Sequence, residues 1–285
     1  MKPSGESFLS ESRRPFNQAM LTRKLTAPVG PLSRVTLVAT TASTNADIAD
    51  GLRAGASWPH LSALVAEWQT EGRGRVGREW VTPEGTSVTA SFVVRHDGFP
   101  PEELGWIPLM AGLAVVRALR RDGMSARIKW PNDVVVDDAA HPRLPGWGMD
   151  RKVAGILCEV VGDAVVVGIG INVSQEESEL PVASATSLAL AGSGNLDRAE
   201  ILGGVARELA LALATWRSEG GPAQITREVS AACGTIGKAV VIERPGHSAV
   251  SGVAVRLSPV GGLVLEITKG QFETVVAGDV LLRSL

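Results

Sequence analysis

Glu67-Trp68-Gln69-Thr70-Glu71-Gly72-Arg73-Gly74-Arg75-Val76-Gly77-Arg78-Glu79-Trp80 is followed at 85–95 by GTSVTASFVVR. Gly72, Gly74 and Gly77 satisfy G-x-G-x-x-G, the spacing of a dinucleotide-binding turn. That turn works only where a helix opens at the glycines, because the helix N-terminus holds the pyrophosphate. Here the next element is rich in Ser, Thr and Val and reads as a strand. The doubly wound dinucleotide fold is therefore rejected. What remains is a glycine loop carrying Arg73, Arg75 and Arg78, whose guanidiniums repel one another unless an anion sits among them. Such a loop is expected to be mobile when empty and to order around phosphate or carboxylate. A solvated surface loop is the competing reading.

Outward from this loop, the chain alternates strands and helices. RVTLV at 34–38 reads as a strand, and Ser43, Thr44 and Asn45 suit the cap of a helix over ADIADGLRAG. Residues 60–66 form a second strand. A long helix is expected over 104–121, with Pro108 near its first turn and Gly123 after its end. Residues 126–130 read as a strand stopped by Pro131 and resumed by Val134-Val135-Val136. A Pro-, Gly- and Asp-rich loop covers 137–150, a hairpin 152–173, and helices about 197–218 and 222–232. After Cys233 short apolar runs recur between Gly and Pro, the signature of a small antiparallel barrel.

Length and composition bound the rest. The 285 residues allow one to two domains, and 28 basic against 30 acidic side chains give a net charge of −2. A dedicated nucleic-acid binder carries a basic excess, so the balance argues against one. Two cysteines, Cys158 and Cys233, supply neither a disulfide framework nor a zinc knuckle. No signal-peptide run and no uninterrupted apolar stretch of membrane-spanning length occurs, so a cytoplasmic protein without a membrane partner is expected. Residues 1–34 hold four prolines and six basic residues against two acidic ones, and read as a flexible extension.

Three further clusters carry chemistry. In Lys129-Trp130-Pro131-Asn132-Asp133 the polar pair sits at a turn just past a strand end. In Arg151-Lys152-Val153-Ala154-Gly155-Ile156-Leu157, strict alternation aligns Lys152 with Ala154, Ile156 and Cys158, as if aimed at an anion, with room beside Gly155. Gly168-Ile169-Gly170-Ile171-Asn172 places two glycines in a buried-looking strand that ends in an amide. No Ser-His-Asp or Cys-His set is apparent, and His60, His96, His141 and His247 show no metal spacing.

The order STN, WQTEGRGRVGR, KWPND, RKVAGIL and GIGINV, spanning 38–175, resembles biotin protein ligase. The resemblance implies an α+β fold: a mixed β-sheet with flanking helices, the biotin/lipoate ligase-like catalytic domain, over 35–232, then a small SH3-like β-barrel over 233–285. Residues 1–34 are too short for the DNA-binding domain of the family's regulatory members, so no DNA partner is expected. It further implies that biotin and ATP, with Mg²⁺, form biotinyl-5′-AMP, and that the biotinyl group passes to a lysine of a biotin carboxyl carrier domain of a biotin-dependent carboxylase. By the same resemblance Lys152, Arg73 and Arg75 are catalytic. Ser43, Thr44, Asn45, Gln69, Gly72, Arg73, Gly74, Arg75, Lys152 and Gly155 contact biotin. Arg75, Arg78, Trp80, Asn132, Lys152 and Asn172 contact the nucleotide, and Asp133 is the metal ligand. Lipoate ligases and octanoyl transferases are the alternative on the same core, and monomer and homodimer both stay open.

Overall fold

In the computed structural model, residues 12–97, 99–138, 141–244 and 246–282 are described. Helix α1 (Gln18–Leu25) starts at Asn17, whose side chain accepts a hydrogen bond from the Met20 amide. Its Leu21 and Leu25 are buried in the main core together with Phe16 and Leu32. This corrects the expectation of a flexible extension for residues 12–34; residues 1–11 lie outside the described part. Composition misled there because two leucines at i, i+4 supply enough apolar stripe to dock a short helix against a pre-existing core.

The central sheet has seven strands in the order β1-β2-β3-β7-β6-β5-β4. These are β1 (Arg34–Thr41), β2 (Ser62–Gln69), β3 (Ser87–Arg95), β4 (Arg127–Lys129), β5 (Asp133–Asp137), β6 (Asp150–Val161) and β7 (Ala164–Asn172). Only β1 and β2 run parallel, joined through helix α2 (Thr44–Arg53). The other neighbours are antiparallel. Ile48 and Ala49 of α2 pack on Leu64, Val93 and Val166, which face one side of the sheet. Helices α3 (Trp106–Arg121), α4 (Arg198–Trp216) and α5 (Gly221–Ala232) cover the other, over Ala63, Val65, Phe92, Val94, Val165 and Val167. With both faces buried, the central strands read as continuous apolar runs rather than as alternation.

The chain reverses at Trp130–Asn132, so β4 and β5 form a hairpin. Val134–Val136 therefore pair against the preceding strand instead of resuming it. A second sheet of five antiparallel strands, ordered β11-β10-β9-β8-β12, follows α5. It comprises β8 (Ala239–Arg244), β9 (His247–Leu257), β10 (Leu263–Thr268), β11 (Gln271–Val275) and β12 (Asp279–Leu282). This is the SH3-like C-terminal unit. It is seated by two buried indoles: Trp106 donates to the Pro259 carbonyl at 2.7 Å and Trp130 to the Gly261 carbonyl at 3.0 Å. A Cβ at Gly105 would lie 2.5 Å from the Val260 oxygen, so the two units meet backbone to backbone. That contact brings β12 to the rim of the central sheet.

Candidate active site

The glycine stretch folds as a small hairpin across the end of the sheet. Trp80 donates its amide to the Gly72 carbonyl at 2.8 Å and Gly74 to the Arg78 carbonyl at 2.6 Å. At the tip Val76 (φ 55) and Gly77 (φ 71) are left-handed, a conformation that costs a β-branched residue on the order of 1–3 kcal/mol. Beneath the hairpin lies a cavity of about 530 Å³. Its floor is made of glycines. A Cβ at Gly168 would lie 2.4 Å from the Asn45 side chain, and one at Gly170 2.5 Å from the Trp80 ring. Lys152 crosses the neighbouring Gly155, which pairs with Gly170. The floor thus carries, in order, an amide, an aromatic ring and an ammonium.

The amide end is a buried polar network. Ser43 caps α2, as its position before the helix predicts. The Thr44 amide and hydroxyl both donate to Gln69 Oε1, at 2.8 and 3.0 Å. Ser91 donates to Asn45 Oδ1 at 2.6 Å, and Asn45 donates to the Leu157 carbonyl at 3.1 Å. These side chains are buried at 0–9% exposure, so their donors and acceptors are fixed before any ligand arrives.

At the cationic end, Lys152 Nζ sits 2.6 Å from Asp133 Oδ1 and 5.6 Å from the Trp80 ring centre. Strict alternation put Lys152 on the face of Ala154, Ile156 and Cys158, and the structure corrects this. The β5–β6 register slips between Val134 and Val135, leaving Val153 as the extra residue of a bulge. Val153, Ala154 and Ile156 enter the core, and Lys152 shares the cavity face with Gly155. Arg75 Nη1 donates to Asn132 Oδ1 at 2.9 Å, and Asn132 is itself held by the Ile156 backbone. Lys129 is 8% exposed and lies 4.2 Å over the Trp147 ring. Burial pulls its ammonium below the ordinary lysine value, Asp133 opposing and Lys152 reinforcing the shift. Burial likewise lowers the Arg75 guanidinium, partly offset by Asp279 and Asp133. Cations held at a desolvation cost are relieved by an incoming anion.

Of the residues given a catalytic, biotin, nucleotide or metal role from sequence, only Gly72 lies outside the cavity lining. A Cβ there would meet the Trp80 carbonyl at 2.3 Å, so Gly72 shapes the hairpin instead. Asn172 lines the wall with its amide engaged by the Thr186 carbonyl and Gln175. Arg78 pairs at 2.8 Å with Asp279 of β12. Asp133 faces Lys152, and among the described residues no group of three or more His, Cys, Asp or Glu could cage a metal ion. Trp147, Asp279 and the 181–185 segment also line the cavity, unanticipated. Only for Lys129, inside KWPND, was there a usable signal. Among the described residues no helix is long and apolar enough to cross a membrane.

Residues 37–176 match the biotin/lipoate A/B protein ligase family. A biotin--[acetyl-CoA-carboxylase] ligase of Mycobacterium tuberculosis is 34% identical over 94% of this chain and 96% of its own length. A bifunctional ligase/repressor of Escherichia coli is 32% identical, over 78% of this chain and 66% of that protein. Among solved structures, the biotin protein ligase of Aquifex aeolicus in complex with biotin and ATP superposes with a TM-score of 0.71 at 28% identity, covering 88% of this chain and 99% of that one. A match at this identity along nearly the whole of both chains, over the same fold, places the chain in the biotin protein ligase family.

Proposed function

We propose that the cavity activates biotin with ATP and that the enzyme passes the biotinyl group to a lysine of a biotin carboxyl carrier domain. The observation that carries this reading is the order along the floor: fixed amide and hydroxyl groups, then Trp80, then Lys152. Ser43, Thr44, Asn45 and Gln69 suit the ureido ring, which needs paired donors and acceptors. Lys152 stands where the biotin carboxylate meets the α-phosphate. One carboxylate oxygen attacks the α-phosphorus and the bond to pyrophosphate breaks. Negative charge builds between two anions that otherwise repel, and Lys152, Arg73, Arg75 and Lys129 are the cations placed to offset it. Trp80 offers a flat face for adenine. Asp133, a single carboxylate, would hold Mg²⁺ only together with oxygens of phosphate and water. When bound, the ion neutralises triphosphate charge.

In the second step the neutral amine of the carrier lysine attacks the adenylate carbonyl carbon, AMP leaves and the amine proton goes to solvent. No nucleophile from this chain is required. The hairpin over the cavity keeps water from the mixed anhydride. The division into a catalytic unit over 35–232 and a barrel over 233–285 belongs to the same proposal, with Glu243, Asp279, Val280 and Leu281 as the barrel's contribution to the site. The test is pyrophosphate release and intact-mass detection of acyl-adenylate with ATP, Mg²⁺ and either biotin or lipoate, followed by transfer to a carrier domain. Biotinyl-adenylate is the expected product. Lipoyl-adenylate alone overturns the reading.

A further inference from the structure

The segment 12–16 crosses the molecule beside the active-site wall and is pinned at two places. On one side Glu67 and Arg198, both buried, hold it: the Phe16 amide donates to Glu67 Oε1, and Arg198 donates to the Arg14 carbonyl at 2.7 Å and to Glu67 Oε2 at 2.9 Å. The Arg198 guanidinium also lies 4.3 Å over the Phe16 ring. On the other side Arg13 grips the segment that follows β7. Its two terminal nitrogens donate to Glu179 Oε1 and Oε2 at 3.0 and 2.6 Å, and Nη2 donates also to the Ser174 carbonyl at 2.9 Å. Glu179 is fixed from behind by the Glu176 amide at 2.9 Å. A two-pronged guanidinium–carboxylate pair with a third bond to backbone fixes position as well as charge.

The gripped segment leads directly to Lys152. Pro181, Val182, Ser184 and Ala185 line the cavity. Ser184 accepts from the Lys152 amide at 2.7 Å, and the Thr186 amide donates to the Lys152 carbonyl at 2.9 Å. These two bonds hold the Lys152 backbone beside its bulge, where the ladder with β5 is interrupted. Segment 174–186 is thus a brace tied to Arg13 at one end and to Lys152 at the other.

We propose that Arg13 is a positioning residue for adenylate formation, acting through Glu179 and segment 174–186 on the placement of Lys152. This rests on the functional reading above. Neither Arg13 nor Glu179 lines the cavity, so their loss removes no ligand-facing group and alters only how Lys152 and the lining residues of segment 174–186 are held.

The test compares wild type, Arg13→Ala, Arg13→Lys and the reciprocal pair Arg13→Glu with Glu179→Arg. Arg53→Ala, which removes an exposed pair on α2, is the control. The readouts are kcat and KM for pyrophosphate release with biotin and ATP, and hydrogen exchange of the Lys152 and Thr186 amides. Arg13→Ala is expected to lose about 5- to 30-fold in kcat/KM, the range for a partly screened charge-assisted contact. Both amides are expected to exchange faster while the helices stay protected. Arg13→Lys, lacking the fork, should recover little, and the reciprocal pair should recover at least half of the loss. Arg13→Ala with wild-type kinetics and exchange overturns the proposal, as does faster exchange throughout the chain, which would mark a fold effect. If wild type makes no adenylate at all, the functional reading fails, and the exchange comparison still decides whether Arg13 holds the segment.

Discussion

Replacing Lys152 by alanine separates catalysis from folding. The ammonium is 2.6 Å from Asp133, with the two side chains 27% and 17% exposed. A pair this accessible to solvent is worth at most about 1 kcal/mol to the folded state. For a chain of this size that corresponds to a fall in Tm of about 2–4 °C. The chemical step has far more to lose. Removing one donor aimed at developing negative charge costs on the order of 10²–10³ in rate. Lys152→Ala is therefore expected to slow pyrophosphate release at saturating biotin and ATP by about that factor. The assay couples pyrophosphate release to a phosphate-detecting dye and reads Tm by differential scanning fluorimetry on the same preparation. Asp133→Asn is the companion variant, since it breaks the same pair but leaves the ammonium in the cavity. If Lys152→Ala keeps its rate within threefold of wild type, or if Asp133→Asn is equally impaired even at saturating Mg²⁺, Lys152 acts through the pair and not on the reacting phosphate, and the assignment is wrong.

Other expectations follow from the same geometry. Arg75→Gly removes the anchor to Asn132, and losing about 1.5–3 kcal/mol of charge-assisted bonding should speed adenylate escape about 10- to 150-fold. It should be read as streptavidin-detected labelling of an unrelated lysine-rich protein; labelling no greater than wild type with synthesis intact refutes it. Gly170→Ala drives a methyl into the Trp80 ring, so biotin-dependent pyrophosphate release should collapse while the circular dichroism spectrum is retained. Lys129 has a lowered folded-state value, so on raising pH the folded protein releases that proton before the unfolded chain does. The burial cost is then present below the folded value and vanishes as pH climbs through it toward the unfolded value. The Tm advantage of Lys129→Met over wild type should accordingly shrink between neutral pH and about 10.5; a constant difference contradicts the assignment. Protease nicking within 71–80 should slow when biotin and ATP are added together, and equal rates with and without them count against closure of the hairpin.

Much of the architecture was legible because the deciding signals are local. A glycine loop flanked by two strands excludes a phosphate-binding helix whatever surrounds it, and Ser43 announces α2 through a single cap. Strand content in β3 and β7 follows from Val, Ile and Thr in short runs, and the glycines at 168 and 170 fall where Asn45 and Trp80 press on the sheet. The residues read as site candidates converge because the start of α2, the glycine hairpin and the central strands β6 and β7 share one face of the sheet. The amphipathic α1 was hidden by flanking prolines and basic residues, since eight residues with two buried leucines carry too weak a period to stand out.

The sequence by itself determined most of the elements and their order, α1 and the β4–β5 reversal excepted, because these depend on residue type and spacing within about ten positions. The class of fold and the chemistry of the pocket followed from the resemblance of its ordered motifs to biotin protein ligase. Tertiary structure alone decided which side Lys152 takes, since a bulge against β5 inverts the parity that alternation assigns. It alone placed Asp279 of β12 against Arg78, across 201 positions of chain. It also set Trp147 over Lys129 and Arg13 on Glu179. Such contacts join segments whose local patterns are independent of one another. They are fixed only when Trp106 and Trp130 seat the second sheet and when buried Arg198 and Glu67 secure the first strap of chain. Their energies come from packing and desolvation of the whole molecule, and these leave no periodic trace in the residues themselves.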